Sequence, residues 1–243
     1  MARRKKRKSF LNNYQRFILV LIITLGFYLY YYHNDIESIN RYFEPQVSYA
    51  IDDIPEYQGK PYIIINNNIP YFEESDYTTT SYEKYGELDY LGRCTSCIAN
   101  IGKDIMPTEE RKSLSSVKPT GWHLVKYDIV DGKYLYNRCH LIGFQLTGEN
   151  ANPNNLITCT RSTNTGIMLD YENKVANYIK STNNHVLYRV TPIFKENNLV
   201  ASGILMEGYS IEDHGSGIKF NIYIYNVESG IEINYKTGES KLA

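Results

Sequence analysis

Four apolar runs succeed one another near the C-terminus with no helix between them, and few folds accept that pattern. The runs cover residues 186–194, 199–209, 218–227 and 231–235, and polar turn residues at 195–198, 213–217 and 228–230 separate them. Their β-branched and aromatic content predicts strands. Just before them, Met168, Tyr171, Val175, Tyr178 and Ile179 form an i, i+3, i+4 stripe that predicts a helix over 168–180. Strands in series with one clear helix exclude βαβ alternation and imply an α+β fold with a largely antiparallel sheet. Upstream, residues 62–65 read as a strand ending in an Asn-rich turn, and residues 123–136 as a β-hairpin turning at Asp131-Gly132. Residues 73–90 show no clean period, and 98–119 read mostly as loop. There is no internal repeat and no Gly-rich phosphate loop.

The formal net charge of −1 hides an uneven distribution. Residues 1–33 hold seven basic groups (Arg3, Arg4, Lys5, Lys6, Arg7, Lys8, Arg16) and no acidic one, leaving 19 basic against 27 acidic groups in residues 34–243, a net of −8. After the basic cluster, residues 17–32 are almost wholly apolar. Such a run spans roughly 24 Å as a helix, a little short of a ~30 Å hydrocarbon core, and tyrosines at 28 and 30–32 extend it into the headgroup layer. Positive charge before the run orients it with the N-terminus inside. The expected organisation is a basic cytoplasmic tail (1–16), a transmembrane signal-anchor (17–32), a connector (33–60) and one extracellular domain (61–243), with a cleaved signal and secretion as the alternative. The aliphatic and aromatic content of the body excludes a wholly disordered chain, and four cysteines in 243 residues exclude a disulfide-dense mini-protein.

Five histidines compete as a general base. His33 abuts the apolar run, His185 and His214 lie in polar turns, and His123 starts a strand beside Trp122, where packing is its expected role. His140 differs: it closes the second strand of the hairpin in Asn137-Arg138-Cys139-His140, next to a guanidinium. Taken alone, a histidine so placed is more often structural than catalytic. The downstream series Asn152-Pro153-Asn154-Asn155, Arg161, Asn164 and Glu172 shifts that balance.

The series resembles the DNA/RNA non-specific endonucleases of the ββα-metal, or His-Me finger, group, and in particular their secreted bacterial branch. The signature there is Asp-Arg-Gly-His at a hairpin end, Asn-Pro-x-Asn, an Asn nine residues on, and a later Glu. The likeness continues through Leu91-Gly92-Arg93-Cys94, residues 117–122 and residues 227–238, and covers roughly residues 60–240. Two positions depart from the pattern: Asn137 stands for Asp, removing a carboxylate near the base, and Cys139 stands for Gly. The resemblance implies a ββα-metal motif within the α+β fold and metal-dependent hydrolysis of DNA, with RNA as a further candidate substrate and the preference between them not legible. It implies His140 as general base, Arg138, Asn155 and Glu172 as further catalytic residues, Arg161 as a substrate contact, and Asn164 as ligand of Mg²⁺, with Mn²⁺ as a substitute.

Elementary chemistry agrees with that reading. Phosphodiester hydrolysis needs an activated water, a cation on the phosphoryl oxygens and a stabilised leaving oxygen. An imidazole of ordinary pKa ~6.5 is a suitable base near neutrality. An Asn carbonyl suits Mg²⁺, which keeps most of its waters, and Glu172 then orients one of those waters. On a straight helix Asn164 and Glu172 lie ~12 Å apart along the axis and ~80° apart around it, so direct ligation of one ion by both is not expected. A break at Gly166 removes that constraint.

Each candidate has a blander role beside it. Arg138 and Arg161 bind phosphate or pair with surface carboxylates; Asn155 supports the site or simply shapes a turn. The tyrosines are stacking platforms for bases or ordinary sheet residues. Cys94, Cys97, Cys139 and Cys159 read as a zinc site, a redox pair or disulfides, and their pairing is not legible. Two rival functions remain at this stage: a catalytically decayed extracellular module that binds nucleic acid or another partner, and a hydrolase of some other phosphodiester. A body of net −8 steers poorly toward a polyanion, so affinity must come from local cations such as Arg138, Arg161, Lys118 and Lys126 and from the metal.

Overall fold

The computed structural model describes residue 18, residues 21–26 and residues 48–243. The chain divides into two units, Met1–Gln46 and Val47–Ala243. In the first, residues 18 and 21–26 are helical; the remainder of the expected signal-anchor, the basic tail and residues 33–47 of the connector lie outside the described residues. Among the described residues no helix is long and apolar enough to cross a membrane.

The second unit is built on a seven-stranded sheet. Its strands are β1 (Ser48–Tyr49), β2 (Tyr62–Ile65), β3 (Tyr82–Tyr85), β4 (Cys97–Ile101), β7 (Val186–Ile193), β8 (Gly203–Ser210) and β9 (Lys219–Tyr225), in the order β1-β2-β9-β8-β7-β4-β3. Every neighbouring pair is antiparallel except β1 with β2. The α+β reading therefore holds, with three strands the sequence concealed: β1 lies in the stretch read as connector, β3 in the stretch without a period, and all of β4 but Cys97 in the stretch read as loop. Residues 231–235 do not join this sheet. Ile231–Ile233 (β10) pairs instead with Ser240–Leu242 (β11) in a separate ribbon.

Apart from the large sheet, β5 (Tyr136–His140) and β6 (Leu156–Thr160) form an antiparallel pair in which His140 faces Leu156. Short helices α1 (Phe144–Thr147) and α2 (Arg161–Thr163) follow β5 and β6, and a π-turn (Asn164–Met168) leads into the long helix α3 (Leu169–Thr182). The turn at Asp131-Gly132 is present, closed by Lys133 N–H on Val130 O at 2.8 Å. Its flanks, however, share a single bridge, Lys126 with Tyr134; the extended partner of the His140 strand is β6, not residues 123–130. Helix α3 matches the expected stripe, with Met168, Val175 and Ile179 buried, and stops at Asn183 in the left-handed conformation (φ 59°). Its apolar face, together with β5 and β6, packs on one face of the sheet to form the main core. A smaller cluster around Ile63, Ile65, Leu205 and Tyr225 lies with Tyr49, Ile51 and Ile54 against it.

Candidate active site

The β5-β6-helix layer opens into a cleft of about 670 Å³ whose lining includes Arg111, Asn137, Arg138, His140, Gly143, Gln145, Arg161, Asn164 and Glu172. Sequence reasoning named five of these as site residues, His140, Arg138, Arg161, Asn164 and Glu172, and the fold brings all five to one cavity. Three of the lining side chains are guanidiniums and one is a carboxylate. The cleft is thus cationic although the body is net acidic.

His140 is buried (6% exposed) at the end of β5. Its Nε2 lies 2.7 Å from the carbonyl oxygen of Asn150, a group that only accepts, so Nε2 carries the proton. In the neutral ring the lone pair is then on Nδ1, with Arg111 Nη2 at 3.4 Å. Burial, the largest influence, draws the pKa from 6.5 down to about 4; the hydrogen bond to Asn150 opposes the shift and the charge of Arg111 adds to it. The imidazole is therefore neutral at physiological pH, with its proton fixed on one nitrogen and its base on the other.

Asn155 sits behind the cleft. Wholly buried, it accepts from Ile142 N at 2.8 Å and donates from Nδ2 to Ile142 O at 2.9 Å, while its own carbonyl accepts from Leu141 N at 2.9 Å. These bonds fix the two residues after His140, so Asn155 positions His140 and does not itself line the cavity. The neighbouring Asn152 closes the turn by accepting from Asn154 N at 2.9 Å.

Asn164 and Glu172 do not follow straight-helix geometry. The chain widens into a π-turn between them, with Gly166 at φ −98°, ψ −113°. Such turns recur at functional sites because they re-aim a side chain without ending the helix. Glu172 lies flat against Gly143, where an added Cβ would sit 2.6 Å from its carboxyl carbon; only a glycine leaves that space. Its one hydrogen bond among the described residues is the long one from Gln145 Nε2, 3.5 Å. Burial raises its pKa from 4.5 to about 7, against the opposing influences of Gln145 and Arg111. The side chain of Asn164 has no hydrogen-bond partner among the described residues. An unengaged amide oxygen and a carboxylate without a cation, sharing one cavity, fit a hard cation that prefers oxygen ligands and retains water.

Arg138 donates from Nε to Val117 O at 2.5 Å and stacks on Trp122, its guanidinium 4.1 Å from the ring centroid. Arg161 meets the exposed Asp131 at 3.2 Å, and its Nε is buried without a partner among the described residues. Cys139, in the position the motif gives to glycine, is fully buried and disulfide-bonded to Cys159 of β6, which ties the two strands together beside the base. Cys94 and Cys97 are free and buried, their thiols donating to carbonyls of Pro153, Asn154 and Leu156 around the turn that carries Asn155. His123, expected to pack, is exposed, with Nε2 3.1 Å from Thr237 O. Arg111, Gly143 and Gln145 escaped sequence reasoning. Arg111 lies in a stretch with no periodicity, and the roles of Gly143 and Gln145 exist only once α1 is packed near α3.

The sequence pattern of the DNA/RNA non-specific endonuclease family matches residues 73–211. Among solved structures, NucA from Streptococcus agalactiae with magnesium bound is 25% identical, covering 80% of this chain and 92% of that one at a TM-score of 0.69. The same nuclease without metal superimposes with a TM-score of 0.67. Sda1 nuclease with a bound zinc ion is 27% identical, covering 67% of this chain and 80% of that one at a TM-score of 0.58.

Proposed function

This chain belongs to the DNA/RNA non-specific endonuclease family, whose pattern spans more than half of it, and we propose that its cleft hydrolyses phosphodiester bonds of DNA, and of RNA, with little sequence preference. The observation that carries the assignment is the fixed tautomer of His140, with its proton committed to Asn150 and the lone pair of Nδ1 facing the cleft, where among the described residues only the long contact from Arg111 meets it. In this reading a water oxygen bonds to phosphorus and gives its proton to Nδ1. The P–O bond opposite breaks, and the leaving oxygen takes a proton from solvent. Arg111, Arg138 and Arg161 hold the phosphate through charge-assisted hydrogen bonds. Asn164 would hold Mg²⁺, with Mn²⁺ as a substitute, through its amide oxygen, and Glu172 would accept a hydrogen bond from water carried by that ion. The divalent ion, when bound, neutralises charge on the phosphoryl and leaving oxygens. Asn155 acts through the backbone at 141–142 to hold His140.

The basic cluster preceding residues 17–32 supports export of the body, either anchored through that run or released after cleavage. The disulfide beside the base is also typical of an oxidising compartment. The test is nicking of supercoiled plasmid, single-stranded DNA and RNA by the full chain, with Mg²⁺ or with chelator. Activity that persists in chelator, or in His140→Ala with folding intact, overturns the assignment.

A further inference from the structure

Beside the catalytic cleft lies a second depression, of about 270 Å³, lined by Trp122, Leu124, Tyr134 and Tyr136. Asn137, Arg138 and Arg161 line both cavities and so form the wall between them. We propose that this depression is a base subsite: it receives the nucleobase of a nucleotide flanking the scissile phosphate, turned out of its stack, while the arginines of the shared wall hold the phosphate. The inference rests on the nuclease reading above and adds to it where the base goes.

The occupant follows from the chemistry of the lining. A single exposed apolar side chain is ordinary, but here Leu124 (76% exposed) and Tyr134 (41%) share one concave site with a tryptophan and two guanidiniums. An apolar ligand alone would not suit a wall of cations, and a phosphate alone would not suit aromatic carbon. A nucleotide presents both faces in fixed succession. The cations are poorly satisfied by the protein itself. Arg138 uses its Nε on Val117 and its flat face on Trp122, and neither of its Nη atoms has a hydrogen-bond partner among the described residues. Arg161 has an orphaned Nε and one carboxylate partner, Asp131, whose side chain is 85% exposed. Lys126 Nζ, 4.5 Å from the Tyr134 ring centroid, adds a third positive charge.

Every base has a π-face and ring or carbonyl acceptors, so aromatic and guanidinium contacts recognise a base without choosing among the four. That accords with cleavage of little sequence preference. It also has a direction: turning a base out of a duplex costs stacking and pairing energy, least where the base is already unpaired. The subsite therefore favours single-stranded or locally opened substrate at the flanking nucleotide.

Trp122 is the only tryptophan of the chain, which makes occupancy directly visible. The full-length His140→Ala chain is titrated with a short single-stranded oligodeoxythymidylate, then with the same oligonucleotide carrying abasic residues. Quenching of Trp122 fluorescence by the intact strand, and at least fivefold weaker apparent binding of the abasic one, is the expected result. In the otherwise wild-type chain, the exposed double substitution Leu124→Ala/Tyr134→Ala should raise KM for single-stranded DNA about 5- to 10-fold with kcat within twofold and an unchanged thermal midpoint. Equal binding of intact and abasic strands, or an unmoved KM, overturns the subsite while plasmid nicking leaves the nuclease assignment standing. A wild-type chain that cleaves no nucleic acid overturns both.

Discussion

Two glutamates, one fully buried in the sheet and one half-buried at the cleft, show how differently the two regions treat a charge. Glu207, in the middle of β8, is fully buried, yet both of its carboxylate oxygens are used. Arg189, directly opposite on β7, donates from Nε at 2.7 Å and from Nη2 at 3.0 Å, and Tyr71 N–H donates at 2.7 Å. The pair also binds the segment around Tyr71 and Phe72 to the sheet, through Arg189 on Tyr71 O and on the Phe72 ring. Glu172 has no ion pair among the described residues and only the long contact from Gln145. The carboxylate in the sheet has its lone pairs filled by the protein; the one at the cleft is left open, as the proposed contact with a metal-bound water requires, and is costly to ionise without a partner. The same contrast separates Arg189 from Arg161 with its orphaned Nε.

The most damaging test of that contrast is on the cleft side. His140→Ala should reduce plasmid nicking by roughly 10²–10⁴-fold in a chain that stays folded at the assay temperature, its thermal midpoint lowered only as far as the loss of one buried hydrogen-bonded side chain requires. On the sheet side, Glu207→Gln leaves Arg189 with a neutral partner and should cost about 3–5 kcal/mol of stability, the range for breaking a buried pair. Its activity per folded molecule should stay within twofold. Urea unfolding and specific activity measured on the same preparation distinguish the two. A Glu207→Gln chain of wild-type stability would show that the ion pair contributes no more than a neutral amide in the same place.

The two regions also differed in legibility. Strands β7, β8 and β9 advertise themselves because apolar residues predominate in each run and turn residues bound it. β4 was hidden in residues read as loop, and β6, Leu156–Thr160, carries Thr and Cys and is buried at every position. With no exposed face there is no alternation to read. In the site, His140, Arg138, Arg161, Asn164 and Glu172 were legible because reactive side chains stood at the spacing of a known motif. Arg111 was not, because its place beside His140 is created by the path of a loop. The π-turn was foreseen only as a break at Gly166, since the widening depends on tertiary packing.

The buried base makes a pH prediction of intermediate size. The pKa of His140 is depressed in the folded chain to about 4 from 6.5. A depressed group contributes stability that is fully present above its unfolded pKa and is lost as pH falls through the folded value, because the unfolded chain takes up the proton first. Between pH 6.5 and 4 the fold should therefore lose on the order of 3 kcal/mol through this residue. His140→Gln should flatten that part of the stability profile. Parallel profiles for the two proteins would show that the imidazole is not desolvated as its burial implies.

The smallest effect separates the two carboxylates by sign. Glu172→Gln keeps the shape that fits against Gly143 but removes the charge, and should lower Mg²⁺-dependent activity about 10- to 100-fold, the range for residues that orient a metal-bound water. Without metal its effect on stability should be favourable. The pKa of Glu172 is raised to about 7, so the metal-free fold loses stability as pH climbs from the unfolded carboxylate value through 7. A neutral amide avoids that loss, and at pH 8 in chelator the variant should melt above wild type. Glu207→Gln should melt below it. One isosteric change made at two glutamates is then expected to shift stability in opposite directions, since only the carboxylate in the sheet has its counter-charge within the protein. Two shifts of the same sign would show that Glu172 already has an internal partner, and its proposed place beside a metal ion would have to be given up.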